Sequence, residues 1–182
     1  MGIGNPRLHV RLLTPEDWAT FRSIRLRSLA DAPQAFGATL EEARGRSDQV
    51  WSDLLAQRAQ FVASIDGIDV GTVGGHDDPE RPGAHLISMW VAEKSRGTGI
   101  SDRLVRSVVD WAVDAGHRKV WLEVAAGNTA AERLYLRHGF VRTGVQGTVA
   151  PDDPRPEFEM LLNLSGAARR PHTYRSVKST YR

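Results

Sequence analysis

At 182 residues, with 41% hydrophobic and 25% charged side chains, the chain has the size and composition of one globular domain with a full core. It has no cysteine, which excludes disulfides, thiolate metal sites and a thiol nucleophile. The formal net charge of +2 is unevenly spread: Ala167 to Arg182 carries five basic residues and no acid, leaving 19 basic and 22 acidic residues elsewhere. That tail is expected to be flexible, and because it lacks a recognised motif, nucleic acid is not an expected partner.

Leu8 to Leu13 alternates as a first strand. Thr14-Pro15-Glu16-Asp17 is a helix start, with Thr as N-cap, Pro at the first position and acids in the first turn. Trp18, Phe21 and Ile24 recur at helical spacing to about Leu29, and Ala30 to Ala35 is a break. Ser47 to Arg58 reads as a helix with Val50, Trp51, Leu54 and Leu55 as its buried stripe. Phe61 to Ile65 and Ile68 to Val73 form a hairpin, because Asp66-Gly67 suits a tight positive-φ turn. A polar loop, His76 to Gly83, precedes a strand from Ala84 to Val91.

The next helix places Ile100, Leu104, Val108, Trp111, Ala112 and Ala115 on one face, with Gly116 as its stop. Lys119 to Val124 is a strand, and Thr129 to His138 a helix closed by Gly139. Phe140 to Gln146 and Glu157 to Leu164 are the last strands, separated by an acidic, Pro-rich loop from Gly147 to Pro156. This order indicates one mixed sheet covered by helices. No stretch approaches the roughly 20 apolar residues of a membrane span. Met1 to Arg11 lacks the apolar run of a signal peptide, so a cytoplasmic protein with no membrane partner is expected.

The junction Arg96-Gly97-Thr98-Gly99-Ile100-Ser101 joins strand to helix on two glycines. Such a turn exposes backbone N–H groups at a helix start, a cradle for phosphate or pyrophosphate. The spacing fits neither a P-loop, which needs Lys-Ser or Lys-Thr after the second glycine, nor a dinucleotide fold, which needs a third glycine.

A second block, Lys119 to Phe140, resolves which cofactor is meant. Arg96, Gly99 and Ser101 followed about thirty residues later by Asn128, Ala131, Tyr135, Gly139 and Phe140 resembles the GNAT N-acetyltransferase superfamily. Ser101 departs from the Gly or Ala usual at its position. The resemblance is closest over residues 86–140 and compatible with residues 8–164. It implies an α/β fold with a mixed, largely antiparallel sheet of about seven strands flanked by about four helices. Residues 1–166 would form that domain and 167–182 the tail.

The resemblance also implies acetyl-CoA as cosubstrate, no metal, and a primary amine acceptor, either a small molecule or a protein. Gly97, Thr98, Gly99, Ile100 and Ser101 would hold the pyrophosphate through backbone N–H groups, with a charged contact from Arg96. Backbone groups of Met89, Trp90 and Val91 would pair with the pantetheine arm, and Asn128 would hydrogen-bond it. Asp102 sets an anion near the phosphates, which Arg103 would offset.

Acetyl transfer needs an unprotonated amine and a proton for the departing thiolate. Tyr135 is the candidate acid and Glu123 the candidate base. Their spacing looks like that of bacterial ribosomal-protein N-terminal acetyltransferases. Rival bases are His76, His85 and Glu42, and Tyr135 reads equally as a core aromatic. A non-catalytic acyl-CoA-binding module on the same fold is the alternative function. Ala30 to Arg46, His76 to Gly83 and Gly147 to Pro156 would line the acceptor side. Their acids Glu41, Glu42, Asp77, Asp78, Glu80, Asp152 and Asp153 would suit a cationic amine. A homodimer is an open arrangement, with Tyr174, Val177 and Tyr181 as anchors on a partner subunit.

Overall fold

The computed structural model describes residues 7–78, 81–150 and 153–164; Glu80, Asp152 and the basic tail lie outside them. One seven-stranded sheet has the order β1-β2-β3-β4-β5-β7-β6. Its strands are β1 (Leu8–Leu12), β2 (Ala59–Ile65), β3 (Ile68–Asp77), β4 (Ala84–Val91), β5 (Lys119–Ala125), β6 (Val141–Ala150) and β7 (Asp153–Asn163). Only β4 and β5 run parallel; the other neighbours are antiparallel. Five α-helices occur among the described residues: α1 (Trp18–Asp31), α2 (Leu40–Arg44), α3 (Asp48–Ala56), α4 (Ile100–Asp114) and α5 (Thr129–Arg137). The mixed, largely antiparallel fold is the one expected, with one short helix more.

Strand alternation divides the interior in two. On β2, Ala59, Phe61 and Ala63 face the core built with α4 and α5. Val62 faces the opposite core, where Phe21, Ile24, Leu29, Trp51 and Leu55 of α1 and α3 meet. Close seating of α4 on β3 depends on glycine. A Cβ on Gly71 would come within 3.0 Å of Leu104, and one on Gly75 within 2.8 Å of Trp111.

Two irregularities shape the centre of the sheet. Ser88 has φ +57°, and the β3 register jumps from Thr72↔Trp90 to Gly74↔Ile87, so β4 carries a bulge. The bulge exchanges the strand's faces: Ala84 and Leu86 before it and Val91 after it all join the α4 core, while Trp90 turns to the α1–α3 core. The second irregularity is that β4 and β5 pair only at Ala84↔Val120 and His85↔Trp121. Beyond those residues the two halves of the sheet part, and among the described residues β5 does not pair with β4 from Leu86 to Val91.

Several local expectations are corrected. Thr39, Leu40, Glu41 and Glu42 form a capping box that starts α2, inside the segment read as a break and loop. Within α3, Trp51 and Leu55 are buried and Leu54 packs partly buried beside them, but Val50 is 40% exposed. Ala115 is exposed, since α4 ends at Asp114 before that position can pack, and Val105 is buried instead. β3 runs on through His76 and Asp77, which pair with His85 and Ala84. The loop from Gly147 to Pro156 is largely strand, with Thr148↔Pro156 and Ala150↔Asp153 in register. Pro156 fits because its carbonyl, not a missing N–H, is used, accepting from Ala126 N at 2.8 Å.

Candidate active site

The junction between β4 and α4 has the form its sequence called for. A short 3₁₀ turn, Glu93–Ser95, leads to Gly97 at φ +76° and Gly99 at φ +82°, left-handed conformations that glycine adopts without a Cβ penalty. Open space surrounds both: a Cβ on either would meet nothing within 4 Å. Among the described residues no backbone carbonyl accepts from the N–H groups of Gly97, Thr98, Gly99, Ile100 or Ser101. A row of bare donors at a helix N-terminus is electropositive and fits a phosphate chain.

The charges beside this cradle are paired. Arg96 donates through Nε to Val91 O at 2.9 Å and through Nη2 to Asp31. Asp31 also accepts from Trp90 Nε1 at 2.9 Å. Asp102 is not offset by Arg103. It accepts from Arg137 Nε at 2.7 Å and Nη2 at 2.8 Å, and from His138 Nε2 at 2.9 Å. Those bonds, Arg137's first, outweigh burial and hold its carboxyl down at about 2. Asp102 is thus neutralised by ion pairing, and α4 is tied to the end of α5.

Met89 packs partly buried against the α4 core and Val91 is buried in it, while the edge they present toward β5 is backbone. Asn128 caps α5, its Oδ1 accepting from Ala131 N at 3.2 Å. Tyr135 is 5% exposed and packs edge-on to Phe140, with ring centroids 5.7 Å apart. Burial pushes its phenol well above the ordinary value, so it stays protonated.

Glu123 sits at the heart of a polar network spanning β4, β5 and β7. His85 Nε2 donates to its carboxylate, and Arg81 Nη2 donates at 3.3 Å. Arg81 also donates to Asp78 Oδ2 at 2.7 Å and to Glu159, and lies over the Trp121 ring at 4.4 Å. Glu159, directly opposite Glu123 across the β5–β7 pair, accepts from Thr143 Oγ1 at 2.7 Å. Burial raises the Glu159 carboxyl, but Thr143 and Arg81 outweigh it and leave it below the ordinary value. Glu157, two residues earlier on the same face, is pushed up by burial and by the charge of Glu123.

The rival bases separate clearly. His85 is Glu123's partner rather than its competitor. His76 lies next to it, rings 5.3 Å apart, with Nδ1 against Asp77 O at 2.8 Å. Glu42 is committed to its capping box, accepting from Thr39 N at 2.8 Å. Three of the loop acids are also spoken for: Asp77 bonds His117, Asp78 bonds Arg81, and Asp153 bonds Arg155. The carboxylates that gather are instead on strands. Sequence reasoning missed Arg81, Glu157 and Glu159. The period-two pair Glu157-x-Glu159 on a predicted strand was the available signal.

Among the described residues no group of three or more His, Asp or Glu side chains is arranged to hold a metal ion. No helix there is long and apolar enough to cross a membrane.

A mixed, largely antiparallel seven-stranded sheet flanked by helices is the architecture the resemblance implied. The model of the Acetyltransferase (GNAT) family matches residues 22–140, and the chain belongs to that family. A probable N-acetyltransferase, family 8 member 5, of Mus musculus is 39% identical over 102 residues, 54% of this chain and 45% of that protein. A mycothiol acetyltransferase of Cellulomonas flavigena is 28% identical over 153 residues, 80% of this chain and 44% of that protein. The chain therefore spans less than half the length of these curated relatives. The solved structure of yncA, a putative acetyltransferase from Salmonella typhimurium with its cofactor acetyl-CoA, shares the fold. Its TM-score is 0.70 at 18% identity, over 92% of this chain and 99% of that one.

Proposed function

We propose that the chain is an acetyl-CoA-dependent N-acetyltransferase that acylates a primary amine by direct attack on the thioester. The observation that carries this reading is the bare N-terminus of α4, set at the end of a strand that leaves its parallel neighbour after two paired residues. Backbone N–H groups from Gly97 to Ser101 hold the pyrophosphate. Arg96 exchanges Asp31 for it. The β4 edge at Met89, Trp90 and Val91 pairs with the pantetheine arm as an added strand would. Asn128 uses its Oδ1 as a cap, which leaves its amide N–H groups to donate to the same arm.

Acetyl-CoA supplies an activated acetyl thioester. An alkyl ammonium has a reference pKa of about 10.4, so a base is needed to free the amine at neutral pH. Glu123 takes that proton, either directly or through His85, whose ring it orients. Arg81 holds the carboxylate in place. Tyr135 then donates a hydrogen bond to the departing sulfur. Its phenol is a weaker acid than a thiol of reference pKa about 8.5, so stabilising the sulfur by hydrogen bonding fits better than full proton release.

The acceptor carries a primary amine, which small molecules and proteins both offer, and a cytoplasmic location and a homodimer complete the reading. A non-catalytic coenzyme-binding role is weaker, because it leaves the Glu123–His85 pair without a purpose. Thiol release from acetyl-CoA, measured across a panel of amines and peptide N-termini, tests the proposal. Amine-dependent release is expected. A folded chain that binds coenzyme A yet releases no thiol with any acceptor would leave the binding role standing instead.

A further inference from the structure

Five buried side-chain polar atoms lack a hydrogen-bond partner among the described residues, and four of them are N–H donors. These are Arg22 Nε, Arg25 Nη1, Arg58 Nε and Trp51 Nε1. All four belong to α1, to α3 or to the two residues that follow α3. The fifth atom, Gln60 Oε1, is on β2.

The donors of Arg25, Arg58 and Trp51 lie in one cluster of arginines and aromatic rings. Phe21 and Trp51 meet edge to face, 5.2 Å apart, between α1 and α3. Arg58 lies over Phe21 at 4.6 Å, Arg46 over Trp51 at 5.4 Å, and Arg25 over Phe36 at 4.4 Å. Arg25 is only 9% exposed. Among the described residues none of Arg22, Arg25, Arg46 and Arg58 forms an ion pair. Glu42 feels the charge of Arg46 as the least of the influences on it and is already bonded to Thr39. Burial, reinforced by the neighbouring guanidinium charges, brings both Arg25 and Arg58 down to about 10, so both remain charged at neutral pH.

Like charges gathered in a half-dry layer without a counterion oppose folding. Ring contacts offset part of that, but they satisfy no N–H donor. Planar guanidinium forks with free N–H groups match the paired oxygens of a carboxylate or phosphate. We propose that Arg25, Arg46 and Arg58 form a binding site for an oxyanion group, carboxylate or phosphate, between α1 and α3. The site is separate from the α4 N-terminus. Phe36, its lid over Arg25, follows Gln34, whose carbonyl accepts from Arg155 of β7 at the open end of the sheet.

Thermal unfolding of the full chain at constant ionic strength, with chloride as reference, tests this. Inorganic phosphate and acetate are titrated separately. A saturable rise in Tm is expected with at least one of them, roughly 5–10 °C at a hundredfold excess over Kd. Because the α4 cradle also fits phosphate, the response is read in a Thr98→Glu background, where it should persist and where Arg25→Met and Arg46→Gln should each abolish it. In chloride, Arg25→Met should melt no lower than the parent, because an uncompensated charge is removed. Arg46→Gln, at a half-buried position, serves should Arg25→Met fail to fold. A stronger response to acetate marks a carboxylate ligand, and a stronger response to phosphate marks a phosphorylated one. The proposal is overturned if neither ion raises Tm beyond chloride in the Thr98→Glu background, or if the rise there survives Arg46→Gln.

Discussion

Replacing Asp102 with asparagine removes the charge that joins α4 to α5, the helix that carries Tyr135. The carboxylate accepts two hydrogen bonds from Arg137 and one from His138, which hold it at about 2 against an ordinary value of 3.8. At about 1.4 kcal/mol per pKa unit the full shift is worth about 2.5 kcal/mol. Arg137 is half exposed, so solvent screens the pair, and about 1–1.5 kcal/mol is the expected loss. For a domain of this size that lowers Tm by roughly 2–6 °C. The pH dependence has a definite sign. A depressed carboxylate stabilises fully above its unfolded value and loses that contribution as pH falls through its folded value. The gap between parent and Asp102→Asn should be constant from pH 7 to 5, shrink between about pH 4 and 2, and vanish below. Melting followed by circular dichroism across that range measures it. An asparagine variant as stable as the parent at pH 6, or a gap at pH 2 as large as that at pH 6, would refute the reasoning.

Three further outcomes are expected. Tyr135→Phe keeps the packing against Phe140, so Tm and coenzyme A affinity should hold while turnover falls about 10- to 100-fold in the thiol-release assay. Glu123→Gln should lower kcat/KM at least about 100-fold without weakening coenzyme A binding; full turnover in that variant would move the base to His85 or Glu157. Asp31→Asn still accepts from Trp90 but no longer competes for Arg96, an exposed pair worth about 0.2–1 kcal/mol. Coenzyme A should therefore bind about 1.5- to 5-fold more tightly by calorimetry.

Local chemistry was legible in the sequence. Asp66 at φ +49° and Gly67 at φ +84° make the turn that Asp-Gly announces, and Gly97 and Gly99 take the left-handed conformations their junction requires. Thr39 and Glu42 carried the capping-box signal for α2, but its helix is only five residues long, too short to show a period. What could not be read was pairing at a distance. Arg81 reaches Glu123 across 42 residues and Glu159 across 78, and Arg96 reaches Asp31 across 65. Nothing in the spacing of those residues sets them together; the strand order does. The same holds for the extension of β6 and β7 through a segment whose prolines suggested a loop. Pro156 sits in register with Thr148 there, and its carbonyl accepts from Ala126 N on the other side.

The central claim is that the bare N–H groups at the start of α4 hold the diphosphate of coenzyme A. Isothermal titration of coenzyme A into the parent and into Thr98→Glu tests it most directly. Thr98 is exposed and is not among the left-handed residues of the junction, so a glutamate there adds a negative charge to the cradle without backbone strain. The account predicts saturable binding to the parent and at least tenfold weaker binding to a folded Thr98→Glu protein. Equal affinity in the two proteins would contradict it.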